Sequence, residues 1–317
     1  MSLPEKRRIA AIDIGTNSFH LIIVEVNKKG KLKLLDRERA FLRLGSQHGK
    51  DLGLISADEI VCAVKVLKSF SDLANYHKAD IRAVSTSAVR EAKNKNEFIR
   101  EVLEQTGIKV ETIEGTEEAN LIFLGMKNAL PLDDKSVLGI DIGGGSTEFI
   151  YGVNCNPVFA ESIKIGAVRL SKMFFPDFII TDSSVKECSE FVEKQIKANT
   201  KIRTDIKLDF AVGSSGTVDT ICLIKQFQKE ADVKARLNGY SFNKTEFDDI
   251  YSFVMNLKNP SERMQVPGIE VKRADIIPAG FIILKKIFEL FRIDKMILSE
   301  FALREGVVYD IINKSKK

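Results

Sequence analysis

Long apolar runs, clustered cysteines, paired histidines and dense basic tracts are all missing from this 317-residue chain, and each absence removes a class of function. The longest uncharged apolar stretch, Ile276 to Leu284, falls far short of the roughly 20 residues that a membrane-spanning helix needs. Cys62, Cys155, Cys188 and Cys222 are scattered without Cys-x-x-Cys spacing, which argues against a disulfide framework or zinc ribbon and for reduced thiols in a cytoplasmic protein. His20, His48 and His77 have neither metal-ligand spacing nor an evident Ser or Cys partner, so each reads as structural or exposed. No Gly-x-Ser-x-Gly elbow lies between a strand and a helix, which disfavours a Ser-His-Asp hydrolase. Pro4-Glu5-Lys6-Arg7-Arg8 leads into a strand without an apolar leader, so no signal peptide is expected. The net charge of +4 permits an anionic partner without demanding one. No dense basic face interleaved with aromatics is present, so neither nucleic acid nor membrane is an expected partner.

What is present is a sentence written twice. Ala11-Ile12-Asp13-Ile14-Gly15-Thr16-Asn17-Ser18 returns as Gly139-Ile140-Asp141-Ile142-Gly143-Gly144-Gly145-Ser146-Thr147. Each copy is an apolar strand ending in Asp-Ile-Gly, a run of small residues, and a second apolar strand. Such a β-turn-β unit offers backbone N–H groups, hydroxyls and an adjacent carboxylate, a combination that suits a phosphate group and its metal ion. Two copies in one chain suggest a duplicated domain whose turns face each other across a cleft.

The rest of the chain supports that division. Strands are expected at Arg8 to Ile14, Phe19 to Val26 and Leu32 to Leu42. A capping box at Ser56 to Glu59 opens a helix running to Tyr76. A strand at Ile81 to Thr86, a helix at Asn96 to Gln105 stopped by Gly107, a strand at Ile108 to Ile113 and a helix at Gly115 to Met126 follow. The second copy reads as strands at Val137 to Ile142, Thr147 to Val153 and Val158 to Ile165. Helices are expected at Ser183 to Asn199 and Thr217 to Gln228, with a strand at Leu208 to Val212 between them. From Lys244 the pattern is mainly helical, including Arg273 to Phe291, before a strand at Lys295 to Leu298 and a helix from Phe301. The repeated order is α/β with a mixed sheet in each half, and the split falls near Met126.

Asp141 and Glu148 flank Gly143, Gly144, Gly145, Ser146 and Thr147. The glycines would let backbone approach an anion, the hydroxyls would donate to phosphate oxygens, and the acids could hold Mg²⁺. A solvated glycine hairpin explains that turn alone equally well; the matched copy at Asp13, Gly15, Thr16, Asn17 and Ser18 favours phosphate. Glu117 and Glu118 sit at a helix start, where the macrodipole alone explains acids, and local reasoning gives that structural reading the edge. Arg90 follows a strand end, the place where ligands sit in open α/β sheets, and is either a phosphate clamp or half of an ion pair with Glu91 or another neighbouring acid. Arg43 ends another strand and is the weaker clamp. Gly213 to Thr217 suits a nucleotide phosphate or a plain strand-to-helix connection.

In order along the chain, Asp13 to His20, Ser85 to Arg90, Gly115 to Ala119 and Asp141 to Glu148 resemble the exopolyphosphatase / guanosine pentaphosphate phosphohydrolase family of the actin-like, sugar-kinase and Hsp70 superfamily. Arg273 to Gly280 and Ser299 to Gly306 extend the likeness nearly to the C-terminus. The resemblance implies an α/β fold of two actin-like (ribonuclease H-like) domains, with mixed five-stranded sheets flanked by helices and the active site in the interdomain cleft. Domain I would span residues 1–126 plus 301–317, and domain II residues 127–300. It further implies Mg²⁺-dependent release of the terminal phosphate of inorganic polyphosphate, guanosine pentaphosphate or both. By resemblance Glu118 becomes the catalytic base, overturning the local reading, and Arg90 the basic clamp. Asp13, Asp141 and Glu148 become the metal-associated acids. Gly15, Thr16, Asn17, Ser18, Gly143, Gly144, Gly145, Ser146 and Thr147, with Arg43, become phosphate contacts. Longer relatives add a helical C-terminal domain that this chain lacks, which puts processive grip on long polyphosphate in question. A homodimer is left open. Two alternatives remain: an ATP-using kinase or ATPase of the same superfamily, and a sensor that binds polyphosphate or nucleotide without turnover.

Overall fold

The computed structural model describes residues 7–45, 53–202, 205–229 and 237–316. His48 and Pro4 to Lys6 fall outside these residues. The chain forms two compact units, Met1–Gly125 with Leu303–Lys317, and Met126–Ala302.

In the first unit β1 (Arg7–Ile14), β2 (Ser18–Val26) and β3 (Leu32–Phe41) form an antiparallel meander. It is followed by α1 (Ala57–Tyr76), β4 (Asp80–Ser85), α2 (Ser87–Glu91), α3 (Lys95–Thr106), β5 (Val110–Thr112) and the start of α4 (Gly115–Ala129). The sheet order is β3-β2-β1-β4-β5, with β4 and β5 parallel to β1. The period of a strand sorts β1 into two sets. Ala10, Ile12 and Ile14 enter a core shared with α1 residues Ile60, Ala63, Leu67 and Phe70. Ile9, Ala11 and Asp13 alternate to the other face.

Local signals set the helix ends. Ser56 Oγ accepts from Glu59 N (3.2 Å) while Glu59 Oε2 accepts from Ser56 N (2.8 Å). This reciprocal cap contributes about 1 kcal/mol. Gly107 closes α3 at φ 72°, a left-handed conformation that favours glycine. The five-residue α2 is absent from the sequence expectation, since Thr86 precedes it without a side-chain cap.

The second unit runs β6 (Ser136–Ile142), β7 (Thr147–Val153), β8 (Asn156–Ile163), α5 (Ala167–Phe174), α6 (Asp182–Asn199), β9 (Phe210–Gly213) and α7 (Gly216–Lys229). It continues with β10 (Ser241–Asn243), α8 (Lys244–Asn256), α9 (Pro260–Arg263), α10 (Ile277–Leu290) and β11 (Lys295–Leu298), after which α11 (Leu303–Lys316) belongs to the first unit. Its mixed sheet has order β10-β11-β9-β6-β7-β8, six strands rather than the expected five. The added β10 is three residues long with one buried side chain, Phe242, and is defined by antiparallel pairing to β11 rather than by any pattern of its own. The helix expected from Arg273 starts at Ile277, with Pro278 in its first turn, where a missing N–H costs nothing. Helix α10 is buried on nearly every side and anchors the core of this unit. Among the described residues no helix is long and apolar enough to cross a membrane.

The duplication extends beyond the motif. The β2–β3 register shifts between Ile23 and Val24, and the β7–β8 register shifts between Tyr151 and Gly152. Counted from Asp13 and Asp141, these irregularities fall at the same place in both copies.

Candidate active site: two matched turns

In the first unit Asp13 lies near the end of β1, opposite His20 on β2 and beside Val84 on β4. Crowding by surrounding protein pushes its carboxyl up to about 7. Arg304 opposes the rise, while Glu118 and Glu305 add to it; the side chain keeps partial exposure to solvent. Thr16, Asn17 and Ser18 form the turn and are all buried. The Asn17 carbonyl accepts from Leu42 N (3.2 Å) and Arg43 N (3.1 Å), so the backbone of Arg43 braces the turn at a left-handed φ of 55°. The Thr16 hydroxyl and both side-chain polar atoms of Asn17 are buried with no protein partner. Buried donors in that state are rare and need an explanation such as a ligand or an ordered water.

Helix α4 supplies the acid. Glu117 points to solvent, whereas Glu118 in the same turn is 6% exposed. Arg90 Nη1 donates to Glu118 Oε2 (2.8 Å) and to the carbonyl of Ile113 (2.9 Å). Burial drives the Glu118 carboxyl upward, and the Arg90 guanidinium opposes that rise. The sequence reading named Glu91 or another neighbouring acid for Arg90; in the structure Arg90 pairs with Glu118, 28 residues along the chain, and Glu91 accepts from Ser87 (2.9 Å). Helix α2, which carries Arg90, is docked at the end of β1 by Thr86 N donating to the Ile14 carbonyl (3.3 Å).

In the second unit Asp141 and Glu148 are direct cross-strand partners. Ser214 Oγ donates to Asp141 Oδ2 (2.8 Å). Ser146 and Ser162 each donate to Glu148 Oε1 at 2.7 Å. Thr147 is committed to the Ile165 carbonyl. The carbonyl side of the glycine run is held by α5: Gly143 O accepts from Ala167 N (2.9 Å), and Gly144 O from Val168 N (2.9 Å) and Arg169 N (3.0 Å). Arg169 Nε donates to Gly145 O (2.8 Å). Peptide groups carry N–H and C=O on opposite sides, so this turns the loop amides away from α5. None of Gly15, Gly143, Gly144 and Gly145 has a positive φ. At Gly15 glycine is needed for space, since a Cβ would lie 2.9 Å from Ser18 O; at Gly143 the fit is tight, with Ser146 O 3.1 Å from such a Cβ.

Two hard carboxylates in cross-strand register suit Mg²⁺, which takes one or two protein carboxylates and completes its shell with water and phosphate oxygens. Among the described residues no three His, Cys, Asp or Glu side chains converge as a metal cage. Gly213 to Thr217 is tightly packed: a Cβ at Gly216 would lie 1.9 Å from Arg273 Cζ, so a guanidinium already rests on that loop.

The structure adds Gly166, Arg169, Ser162, Ser214, His20 and Arg304 to the residues around the turns. Ser18 and His20 stand two apart on one strand, hence on one face, a signal present in the sequence. The sequence expectation gave His20 no Ser partner; Ser18 Oγ lies 2.8 Å from its Nε2. His77, for its part, pairs with Asp36 at 3.2 Å.

Two units, each a mixed sheet flanked by helices and each carrying an Asp-Ile-Gly turn after its first strand, define an actin-like fold. Residues 21–315 match the Ppx/GppA phosphatase family, and the chain belongs to it. A Haemophilus influenzae protein provisionally named an exopolyphosphatase is 28% identical over 313 residues, 96% of this chain and 91% of that protein. The crystal structure of an exopolyphosphatase from Cytophaga hutchinsonii superposes with a TM-score of 0.88 at 29% identity, covering 97% of this chain and 98% of that one. The Ppx/GppA family member of Aquifex aeolicus gives a TM-score of 0.81 at 30% identity, covering 98% and 99%.

Proposed function

We propose that this protein is a Mg²⁺-dependent phosphohydrolase that releases the terminal phosphate of inorganic polyphosphate, of guanosine pentaphosphate, or of both. The observation that carries this reading is Glu118: a buried carboxylate aimed by Arg90, in the same unit as buried donors of Thr16 and Asn17 that have no protein partner. A kinase can also use a carboxylate base on its acceptor hydroxyl, so what disfavours ATP is the loop at Gly216, on which the Arg273 guanidinium rests.

Hydrolysis of a phosphoanhydride passes through a loose transition state, so the protein chiefly positions groups and stabilises charge. The Thr16 and Asn17 side chains of the first unit, and in the second unit the loop amides of Gly144 and Gly145, would hold phosphoryl oxygens; the Gly143 amide is committed to Ser146 O (2.9 Å). Asp141 and Glu148 would hold Mg²⁺, which supplies positive charge to those oxygens when bound. Glu118, its carboxyl raised by burial, would align a water and take its proton, while Arg90 fixes the carboxylate's orientation.

The test is phosphate release from polyphosphate, guanosine pentaphosphate and ATP in parallel, with and without Mg²⁺. Release from either of the first two, lost in Glu118→Ala with binding retained, is the expected result. A Glu118→Ala protein with near-normal turnover, or a wild type that turns over ATP alone, would refute the reading.

A further inference from the structure

The two turns hold their serines with opposite polarity. Ser146 and Glu148 occupy the places in the second copy that Ser18 and His20 occupy in the first, counted from the aspartate that ends each opening strand. In the second copy the acid can only accept, so Ser146 donates its hydroxyl hydrogen to Glu148 Oε1 (2.7 Å). In the first copy the partner is an imidazole whose Nε2 lies 2.8 Å from Ser18 Oγ, and whose Nδ1 lies 3.2 Å from Arg304 Nη1. A guanidinium has donors and no acceptor, and it stays protonated. The Nδ1 that faces it must therefore present a lone pair, and the ring proton sits on Nε2.

We infer that Arg304 locks His20 as an Nε2–H donor to Ser18, making the Ser18 hydroxyl an obligate donor toward a phosphate oxygen and His20 a positioning residue for the proposed hydrolysis. The chain of donors runs one way, from Arg304 Nη1 to His20 Nδ1, from His20 Nε2 to Ser18 Oγ, and from the Ser18 hydroxyl to the ligand. Ser18 is 5% exposed and adjoins Thr16 and Asn17, whose buried hydroxyl and amide N–H have no protein partner, so further donors lie beside it in the turn. The same lock denies Ser18 a base. An imidazole already protonated at Nε2 cannot take the serine proton, so no phosphoserine forms at Ser18 and water remains the acceptor of the phosphoryl group. The duplicated hydroxyls thus divide their work: Ser18 gives its hydrogen to the ligand and Ser146 gives its own to Glu148.

The inference rests on the proposed hydrolase reading for its consequence, not for its chemistry, and two experiments separate them. Nitrogen-resolved NMR of ¹⁵N-histidine protein, with His20 assigned by loss of its signals in His20→Gln, is expected to show a neutral ring protonated at Nε2 at neutral pH. A ring protonated at Nδ1, or doubly protonated, would overturn the lock. The second is a double-mutant cycle in polyphosphate turnover. Ser18→Ala and His20→Ala should each cost about 10- to 100-fold, the loss of a hydrogen bond to a charged group. The double variant should be no worse than Ser18→Ala alone, because His20 acts through Ser18. His20→Gln, whose amide can both donate to Ser18 and accept from Arg304, should recover most of the loss. Multiplying losses, no recovery with Gln, or phosphate trapped on Ser18 in mass spectra would each overturn the inference. A wild type that releases no phosphate would sink the hydrolase reading alone; the cycle is then read in tripolyphosphate binding, where additive losses overturn the inference.

Discussion

Replacing Gly166 by alanine tests whether α5 holds the glycine turn in place. The new Cβ would lie 2.4 Å from the carbonyl carbon and oxygen of Gly144 and 2.5 Å from the carbonyl carbon of Gly145. Non-bonded carbons rest at about 3.5–4.0 Å, so turn and helix must separate by about 1 Å. Both obstacles are backbone, and no side-chain rotation relieves them. The contacts across that gap are Ala167 N, Val168 N and Arg169 N donating at 2.9–3.0 Å to Gly143 and Gly144, together with Arg169 Nε on Gly145 at 2.8 Å. A further 1 Å takes the three backbone bonds out of range, at about 0.5–1.5 kcal/mol each. Alanine tolerates the native φ of −131° and ψ of 157° and returns about 0.4–1 kcal/mol by restricting the unfolded chain. The net expectation is about 0.5–4 kcal/mol of lost stability, a fall in unfolding midpoint on the order of 1–15 °C. Because the turn itself is displaced by about 1 Å, turnover should fall by about 10²-fold. Thermal unfolding and phosphate release on the same preparation read both. A variant with an unchanged midpoint and turnover within about twofold of wild type would refute the claim that α5 positions the turn.

Three further outcomes follow from the first unit. Asp13, raised to about 7 from its ordinary 3.8, is held better protonated than ionised, so stability is lost as pH rises through that window and is level above it. Asp13→Asn, unfolded by urea in chelator, should therefore gain on wild type by on the order of 2–4 kcal/mol between about pH 4 and pH 8; parallel pH profiles would contradict this. Arg90→Gln removes the charge that opposes the rise of Glu118, so its carboxyl climbs further and the acid limb of the kcat/KM profile moves to higher pH, with neutral turnover down about tenfold or more; an unmoved limb would show that Arg90 does not govern this group. Gly306→Ala places a Cβ 1.8 Å from the Leu121 carbonyl oxygen on α4, an overpacking that should cost about 1–3 kcal/mol and, by shifting the helix that carries Glu118, reduce turnover as well; wild-type stability would disprove that contact.

Local chemistry was legible where a residue type has one strong use. The Ser56–Glu59 box, the Gly107 stop and the strand at Lys295 to Leu298 all stand as read, because capping, left-handed φ and strand alternation act within a few residues. Helix α5 was missed: its role depends on Gly166 meeting Gly144, a contact that no pattern within eight residues encodes. Strand β10 was missed for a similar reason, since its partner β11 lies far along the chain. The Asp-Ile-Gly turns were plain, but the glycines matter through crowding by Ser18 O and Ser146 O rather than through positive φ. Local chemistry could not choose Glu118 over Glu117; only the family resemblance did so, and in the structure burial and Arg90 set the two acids apart. Arg304 on His20 joins residues at opposite ends of the sequence and was beyond any local reading.

The return of α11 to the first unit bears on the order of synthesis. Arg7 bonds to Ser315 and Arg82 to Asp310, and Arg304 and Glu305 face Asp13, so the opening strand acquires its last neighbours from the final residues of the chain. On a ribosome adding roughly 5–20 residues per second, the first unit waits roughly 10–35 s while Met126–Ala302 is made. During that interval the face of β1 bearing Ile9, Ala11 and Asp13 has no α11 to cover it. The nascent protein therefore completes its later half first, and a ribosome that stalls before Leu303 releases a chain with that apolar strand face open to chaperones.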